Sequence, residues 1–178
     1  SVRFGSDKGA ALWQGQSLLA RAKATLLAAG CQTVVVSGDY PGEPCISDTG
    51  GGPLAGIAAV QQQWPGHALL VLPVDMPLVT PALLHLLLSA GSGSGSAFAG
   101  SLLPLLLQPG ERLAAALAQL LAAAEARQRS LHALMAVLSL PLLTLPQAVL
   151  PRLDNCNTPE QWLHCQQLLA SALPDLPA

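Results

Sequence analysis

The sequence has little charge and few aromatic side chains. Charged residues make up 10 % of its 178 residues and aromatic residues 3 %, whereas an ordinary soluble domain carries about 25 % charged residues. Lys and Arg number 8 against 10 for Asp and Glu, so no basic surface for nucleic acid is expected. With 51 % apolar residues, the chain is too apolar for a long disordered tail and long enough for one well-filled core. We therefore predict a single domain over 1–178 that binds no nucleic acid.

Long apolar runs and cysteine motifs are also absent. Gly, Pro, Gln, His or Ser interrupts each Leu/Ala-rich stretch before about 20 residues, so no membrane span is expected. The four cysteines stand at irregular spacings without a Cys-x-x-Cys pair, which disfavours a zinc site and predicts reduced thiols. The chain does not open with a basic segment followed by an apolar one. These absences predict a cytoplasmic protein that associates with no membrane.

Helical and strand-like patterns alternate along the chain, as is typical of α/β folds. A Gly/Ser stretch at 91–96 predicts a surface loop, whereas the Leu-rich run at 102–107 suits helix and strand equally. The sequence thus predicts a three-layer α/β fold with a mostly parallel sheet. The predicted helices are 17–29, 54–64, one from 80 onward, 112–124, 131–138 and 158–172, and the predicted strands are 33–36, 68–74 and 142–145.

Arg3, Gly5 and Lys8 lie together in a short segment before the first predicted helix. Backbone N–H groups beside a glycine can cradle phosphate oxygens, and a lysine can oppose the negative charge that develops on phosphoryl oxygens. The segment therefore suits a triphosphate. A solvated, charged turn explains the same residues equally well.

Three consecutive glycines ending at Gly52 lead from Asp48 into a predicted helix start at Pro53, and Gly56 follows one turn later. Because glycines cost chain entropy, a plain loop has little reason to use three. At a helix start they let a ligand approach the backbone closely, as in nucleotide-binding turns. A flexible turn before a helix is the alternative.

Asp75 follows the predicted strand 68–74 and is the one acidic residue between Thr49 and Gly110. Ligands of open α/β sheets bind at the carboxyl ends of strands. A carboxylate at such an end is the kind of ligand that Mg²⁺ needs when it bridges phosphates. The alternative is an ordinary turn residue or helix cap.

Asn155 and Asn157 flank Cys156 just before Thr158, the expected N-cap of the last helix. An Asn-rich turn with a helix cap accounts for this segment without any ligand. The four histidines are scattered without partners at metal-ligand spacing, so they are expected to be solvated or hydrogen-bonded within the fold.

In order and spacing, these segments resemble the MobA-like nucleotidyltransferases, the family of the molybdenum cofactor guanylyltransferases. The resemblance covers nearly the whole chain. It implies a Rossmann-like nucleotidyltransferase fold. Family members open with a strand and a Leu-Ala-Gly-Gly turn that have no counterpart here, so we expect the natural protein to have residues before Ser1 that form this strand. The matching segments are 1–8, Asp48 with 52–56, 75–77 and 155–160.

The resemblance implies a role for each matched residue. Lys8 would contact the nucleotide phosphates and Asp75 would hold Mg²⁺, and these two are the implied catalytic residues. Ser37 stands where relatives often have Asn, and Leu103 stands where they commonly have a polar residue near the acceptor. The implied nucleotide-binding residues are Arg3, Gly5, Lys8, Ser37, Asp48, Gly52, Gly56 and Asp75, and the implied acceptor-binding residues are Asn155 and Asn157.

The implied reaction is attack by the terminal phosphate of molybdopterin on the α-phosphate of GTP, with pyrophosphate leaving. The product would be the guanine dinucleotide form of the molybdenum cofactor, and a molybdoenzyme or its chaperone would be a further partner. Three alternatives remain: a cytidylyltransferase for the same pterin, a sugar-phosphate nucleotidyltransferase, and a catalytically weak carrier of the cofactor. The Asn-Thr-Pro-Glu at 157–160 favours the guanylyl branch.

Overall fold

The computed structural model describes residues 8–38, 40–46, 52–91 and 93–171, which form a mixed α/β fold. Short 3₁₀ turns lie at Lys8–Ala10 and Leu150–Leu153. None of the helices in these ranges is long and apolar enough to cross a membrane. The helices are α1 (Leu18–Ala28), α2 (Pro53–Gln63), α3 (Pro81–Ala90), α4 (Glu111–Leu121), α5 (Leu131–Leu138) and α6 (Pro159–Ala170). The strands are β1 (Leu12–Trp13), β2 (Gln16–Ser17), β3 (Val36–Ser37), β4 (Cys45–Ile46), β5 (Leu69–Val71), β6 (Gly95–Phe98), β7 (Leu105–Leu107) and β8 (Leu142–Leu143).

Local side-chain chemistry sets where the helices begin. A Ser or Thr hydroxyl precedes each of α1, α3, α5 and α6 and accepts a hydrogen bond from the N–H three residues later, which satisfies a donor of the first turn. A proline opens α2, α3 and α6, where its missing N–H has no cost. The predicted helix starts near 17, 54, 80 and 158 are confirmed. The capping residues are Ser17, Thr80, Ser130 and Thr158.

The four-stranded sheet has the order β5-β7-β6-β8 and is mixed. β7 runs antiparallel to β5 and to β6, and β6 runs parallel to β8. The described strands therefore do not form the mostly parallel sheet that the sequence predicts. The six residues between β6 and β7 are too few for the crossover that a parallel pair requires, so the chain returns antiparallel.

The remaining strands form two-stranded pairs. β1 and β2 are antiparallel, and β3 and β4 are parallel. Both buried strands predicted for the first half are shorter than expected: only Val36 of 33–36 lies in β3, and β5 covers three residues of 68–74.

The prediction of a surface loop over 91–96 is wrong from Gly95 onward, because strand β6 begins at Gly95. Gly95 has a φ of 130°, and a Cβ at this position would collide with the backbone of Leu106 on β7. Ser96 is buried and donates a hydrogen bond to the Leu87 carbonyl oxygen at 2.8 Å. Glycine is thus required at the start of a strand that composition alone assigns to a flexible loop.

Apolar side chains on the two faces of the sheet pack into separate clusters. Leu105 and Leu107 of β7 pack with residues of α2, α4 and α5, whereas Leu106 packs with residues of α1 and α3. This alternation follows from the two-residue period of a strand. A third cluster contains Trp13, Leu18, Leu78 and the buried Cys156 and Cys165. This third cluster joins the amino-terminal part of the described chain to α6.

Candidate active site

Asp75 lies in a turn that follows β5, and its side chain is partly buried. Two hydrogen bonds from distant parts of the chain hold this turn. The Arg21 Nε–H on α1 donates to the Pro77 carbonyl oxygen at 2.6 Å. The Cys156 backbone N–H donates to the Asp75 carbonyl oxygen at 2.7 Å. The backbone around Asp75 is therefore fixed from two sides, as a metal-binding carboxylate requires.

Ser37 and Gly56 are in close contact where β3 ends and α2 begins. A Cβ on Gly56 would collide with the Ser37 Oγ. Gly52, the N-cap of α2, has a φ of 74°, a left-handed conformation that favours glycine. The first turn of α2 therefore lies against the carboxyl end of β3, where Gly56 is buried under the Ser37 side chain and Gly52 is exposed.

The 3₁₀ turn Lys8–Ala10 packs beside α1, where the Leu18 N–H donates to the Ala11 carbonyl oxygen at 3.0 Å. A Cβ on Gly9 would lie 2.7 Å from Cε1 of Tyr40, so this turn also adjoins the loop after β3. Arg3, Gly5 and Asp48 lie outside the described residues, as does the side chain of Lys8. Of the predicted phosphate-binding segment, only its carboxyl-terminal end is placed.

A cavity of about 700 Å³ separates the segment 33–37 from the segment 68–74. We call it the interstrand cavity. α1 contributes Leu19 and Leu26 to its wall, and α2 contributes Gly56 and Ile57. Ser37, Tyr40 and Gly52 line it as well, together with Val74, which precedes Asp75. Ser37, Gly52 and Gly56 thus line one cavity, whereas Asp75 lies just beyond its wall, after Val74.

The loop 154–157 precedes α6 and is hydrogen-bonded to the Asp75 turn through Cys156. Asn155 is exposed, and Asn157 is partly buried. The Asn157 backbone N–H donates to the Gln161 Oε1 at 2.8 Å, and the Gln161 N–H donates to the Thr158 Oγ at 3.3 Å. Both asparagines therefore flank Cys156, whose backbone N–H is hydrogen-bonded to the Asp75 carbonyl oxygen.

Cys156 and Cys165 are each only 1 % exposed and are hydrogen-bonded to one another. Burial raises the pKa of both thiols, and the Cys165 contact raises the pKa of Cys156 further. All four cysteines are free. Cys156 therefore packs in the third core cluster with its side chain, and its backbone N–H is hydrogen-bonded to Asp75.

The donor groups fit Mg²⁺ in one of its common binding modes. Mg²⁺ is usually held by one or two carboxylates together with water and substrate phosphates. Within the described ranges, no cluster of three or more His, Cys, Asp or Glu could hold a metal ion alone. Asp75 supplies a single, partly buried carboxylate, which suits an ion that also binds a triphosphate.

The sequence itself matches known proteins along most of its length. The profile of the MobA-like NTP transferase domain matches residues 1–140. The chain belongs to the MobA-like NTP transferase family. It is also 41 % identical over 165 residues to the molybdenum cofactor guanylyltransferase of Xanthomonas euvesicatoria pv. vesicatoria (strain 85-10), a match that spans 91 % of this chain and 87 % of the relative. The resemblance drawn from the four motifs is confirmed.

Sequence reasoning missed two contributors to the site. The sequence patterns assign no role to Arg21 and predict only a reduced thiol at Cys156. Their contacts with the Asp75 turn use a side-chain N–H and a backbone N–H to carbonyl oxygens. Any residue offers a carbonyl oxygen, so no sequence signal could have paired these groups.

Proposed function

We propose that this MobA-like transferase transfers GMP from GTP to the terminal phosphate of molybdopterin and releases pyrophosphate. The product is the guanine dinucleotide form of the molybdenum cofactor. The observation that carries the proposal is the 41 % identity, over most of both chains, with the molybdenum cofactor guanylyltransferase of Xanthomonas euvesicatoria. The position of Asp75 beyond β5, and of Gly52 and Gly56 beside β3, supports it.

In this proposal each predicted residue has one task. Lys8, with Arg3 and Gly5, binds the phosphates of GTP. Asp75 holds Mg²⁺, which when bound neutralises charge on the phosphate oxygens. The remaining nucleotide-binding residues are Ser37, Asp48, Gly52 and Gly56, and the acceptor-binding residues are Asn155 and Asn157.

The reaction needs no nucleophilic side chain. The terminal phosphate of molybdopterin is already an anion at neutral pH, and it forms the new bond to the α-phosphorus of GTP as the bond to pyrophosphate breaks. The residues of this chain act by holding the two substrates in line and by opposing negative charge, as phosphoryl transfer generally requires. Cys156 and Cys165 are unsuited to attack, because the reactive form of cysteine is the thiolate and burial raises the pKa of both thiols.

The test is pyrophosphate release by the full-length protein with Mg²⁺ and molybdopterin, using GTP, CTP, ATP and UTP in parallel. We expect release with GTP and a dinucleotide product that contains guanine. Preferential use of CTP would assign the protein to the cytidylyl branch, and turnover only with a sugar phosphate would assign it to the sugar branch. Binding of molybdopterin without turnover would identify a carrier.

We also propose that the natural protein forms a three-layer Rossmann-like domain in which a further strand occupies the interstrand cavity. The cavity lies between two strand segments, with α1 on one side and α2 on the other, and its wall is mainly aliphatic. In the β5-β7-β6-β8 sheet, β5 is an edge strand that faces this cavity. Another strand in this place would hydrogen-bond to the unpaired edge of β5 and cover the aliphatic wall of the cavity.

The expected setting of the enzyme is the cytoplasm, since free thiols are typical of reducing compartments. A molybdoenzyme, or a chaperone for one, is the proposed receiver of the product. Co-purification of the protein with an apo-molybdoenzyme, and its loss when the cofactor pathway is blocked, would test this partner.

A further inference from the structure

Arg21 reaches from the first turns of α1 to the turn that carries Asp75. Its Nε–H donates to the carbonyl oxygen of Pro77, two residues beyond Asp75, at 2.6 Å. The side chain is partly buried, and burial lowers its pKa. The Arg21 guanidinium is therefore hydrogen-bonded to the turn that carries the predicted metal-binding carboxylate.

Only one of the five N–H donors of Arg21 is used. A guanidinium carries four further N–H groups on its two terminal nitrogens, and within the described residues these have no hydrogen-bond partner and no carboxylate oxygen within 4.0 Å. Lys23, on the same helix, differs because it is paired with Glu43. Among the described residues, the terminal nitrogens of Arg21 are not buried unpaired atoms, so they are accessible to an anionic ligand.

We propose that Arg21 binds a phosphoryl group of a substrate beside Asp75. The inference rests on the proposed function only in so far as its substrates carry phosphate. The bond from Nε–H to Pro77 restrains the guanidinium while leaving the terminal nitrogens for phosphate oxygens, which they match as a planar fork. The phosphoryl group belongs either to the triphosphate of GTP, and hence to pyrophosphate, or to the acceptor, and the experiment separates these sources.

The variants are Arg21→Gln and Arg21→Lys, with Arg129→Gln as the matched control. Arg129 also donates to a backbone carbonyl oxygen, that of Ala123, at 2.6 Å, but it is exposed and lies in the loop between α4 and α5. Binding of GTP, pyrophosphate, molybdopterin and guanosine is measured by calorimetry at saturating Mg²⁺, together with a melting curve for each variant.

We expect Arg21→Gln to weaken either GTP and pyrophosphate, or molybdopterin, by about tenfold to a hundredfold, since hydrogen bonds to a charged partner are lost. Arg21→Lys should recover part of the affinity, because an ammonium keeps the charge without the fork. Guanosine binding, which involves no phosphate, should stay unchanged, and Arg129→Gln should match the wild type for every ligand.

Unchanged affinity of Arg21→Gln for GTP, pyrophosphate and molybdopterin would overturn the inference. An equal loss of guanosine affinity would overturn it too, because Arg21 would then only support the pocket. If the wild type fails to release pyrophosphate from GTP and molybdopterin, while pyrophosphate binding still depends on Arg21, the proposed function fails and the phosphoryl site at Arg21 stands.

Discussion

At the scale of single residues, Asp75 has the clearest test. It is the one described carboxylate at the carboxyl end of β5, and its turn is fixed by Arg21 and Cys156. Asp75→Ala should lower Mg²⁺-dependent nucleotidyl transfer by at least tenfold to a hundredfold, because even groups that only support metal ligands contribute that much. The melting temperature should change little. Turnover is measured at limiting Mg²⁺.

Asp154→Ala is the control for Asp75. Asp154 is a nearby carboxylate that lies 3.7 Å from the Nε2 of His164 and is 45 % exposed. It should keep nearly full turnover at every Mg²⁺ concentration. Equal activity of the Asp75 and Asp154 variants would contradict the metal assignment.

Gly56 carries a second prediction at this scale. Gly to Ala within a helix ordinarily stabilises by up to about 1 kcal/mol, but a Cβ here would collide with the Ser37 Oγ. Gly56→Ala should therefore destabilise the fold and weaken GTP binding, and adding Ser37→Gly should restore much of the stability. Gly66→Ala, where nothing lies within 4 Å of the new Cβ, is the control. Chemical denaturation and GTP titration give the two readouts, and a stabilised single variant would contradict the close contact.

The cysteines make a third prediction. Cys45 is exposed, whereas Cys156 and Cys165 are buried and burial raises the pKa of their thiols. Because the thiolate is the form that reacts, an alkylating reagent at pH 8 should modify Cys45 first and Cys156 and Cys165 only after unfolding. Mass spectrometry of timed digests measures the order, with Cys45→Ser as the control. Fast labelling of Cys156 in the folded protein would show that the third core cluster opens readily.

At the scale of elements, the start of α6 has a structural task, and a functional one is proposed for it. The Thr158 hydroxyl accepts from the Gln161 N–H, and the Gln161 side chain accepts from the Asn157 backbone N–H. These bonds resemble a capping box, and they use the backbone of Asn157. The side-chain N-cap of this helix is Thr158.

The corresponding prediction separates the two tasks. The double variant Asn155→Ala/Asn157→Ala should weaken molybdopterin binding, with each lost hydrogen bond costing about 1 to 3 kcal/mol, and should leave GTP binding intact. Thr158→Ala should instead lower the free energy of unfolding by about 1 kcal/mol and leave molybdopterin affinity unchanged. Calorimetric titration and melting curves of both variants are compared. A loss of stability without any effect on molybdopterin in the double variant would remove the acceptor role of these asparagines.

At the scale of the whole molecule, the interstrand cavity is the main feature. It is a partly open pocket of about 700 Å³ with a mainly aliphatic wall. In the proposed fold, a further strand in it would cover the edge of β5. It would also convert the separate β3-β4 pair and the four-stranded sheet into one continuous layer.

Amide hydrogen exchange tests that strand. With a further strand in the interstrand cavity, the amides of 33–36 and 69–71 should exchange as slowly as those of β6. β6, which is hydrogen-bonded on both sides by β7 and β8, is the internal control. Fast exchange of 69–71 would show that the edge of β5 stays unpaired.

Most helix starts and the family could be predicted from the sequence. Caps such as Thr80 and Thr158 accept hydrogen bonds from N–H groups only three residues away. Helix starts can therefore be predicted from residues that are close together in the sequence. The position of Asp75 after an apolar strand, and the glycines before α2, could likewise be recognised from neighbouring residues in the sequence. The strand at Gly95–Phe98 could not be predicted in this way, because its glycine is explained only by contact with Leu106 of another strand.

The sequence by itself determined where helices begin, which residue types could bind a triphosphate and Mg²⁺, and to which family the chain belongs. Only the tertiary structure decided that β7 lies antiparallel between β5 and β6, and that Arg21 and Cys156 hold the Asp75 turn. The physical reason is the separation along the chain over which each kind of interaction acts. Helix caps and prolines act within one turn, whereas strand pairing and bonds to carbonyl oxygens depend on backbone groups that every residue shares and that only folding brings together.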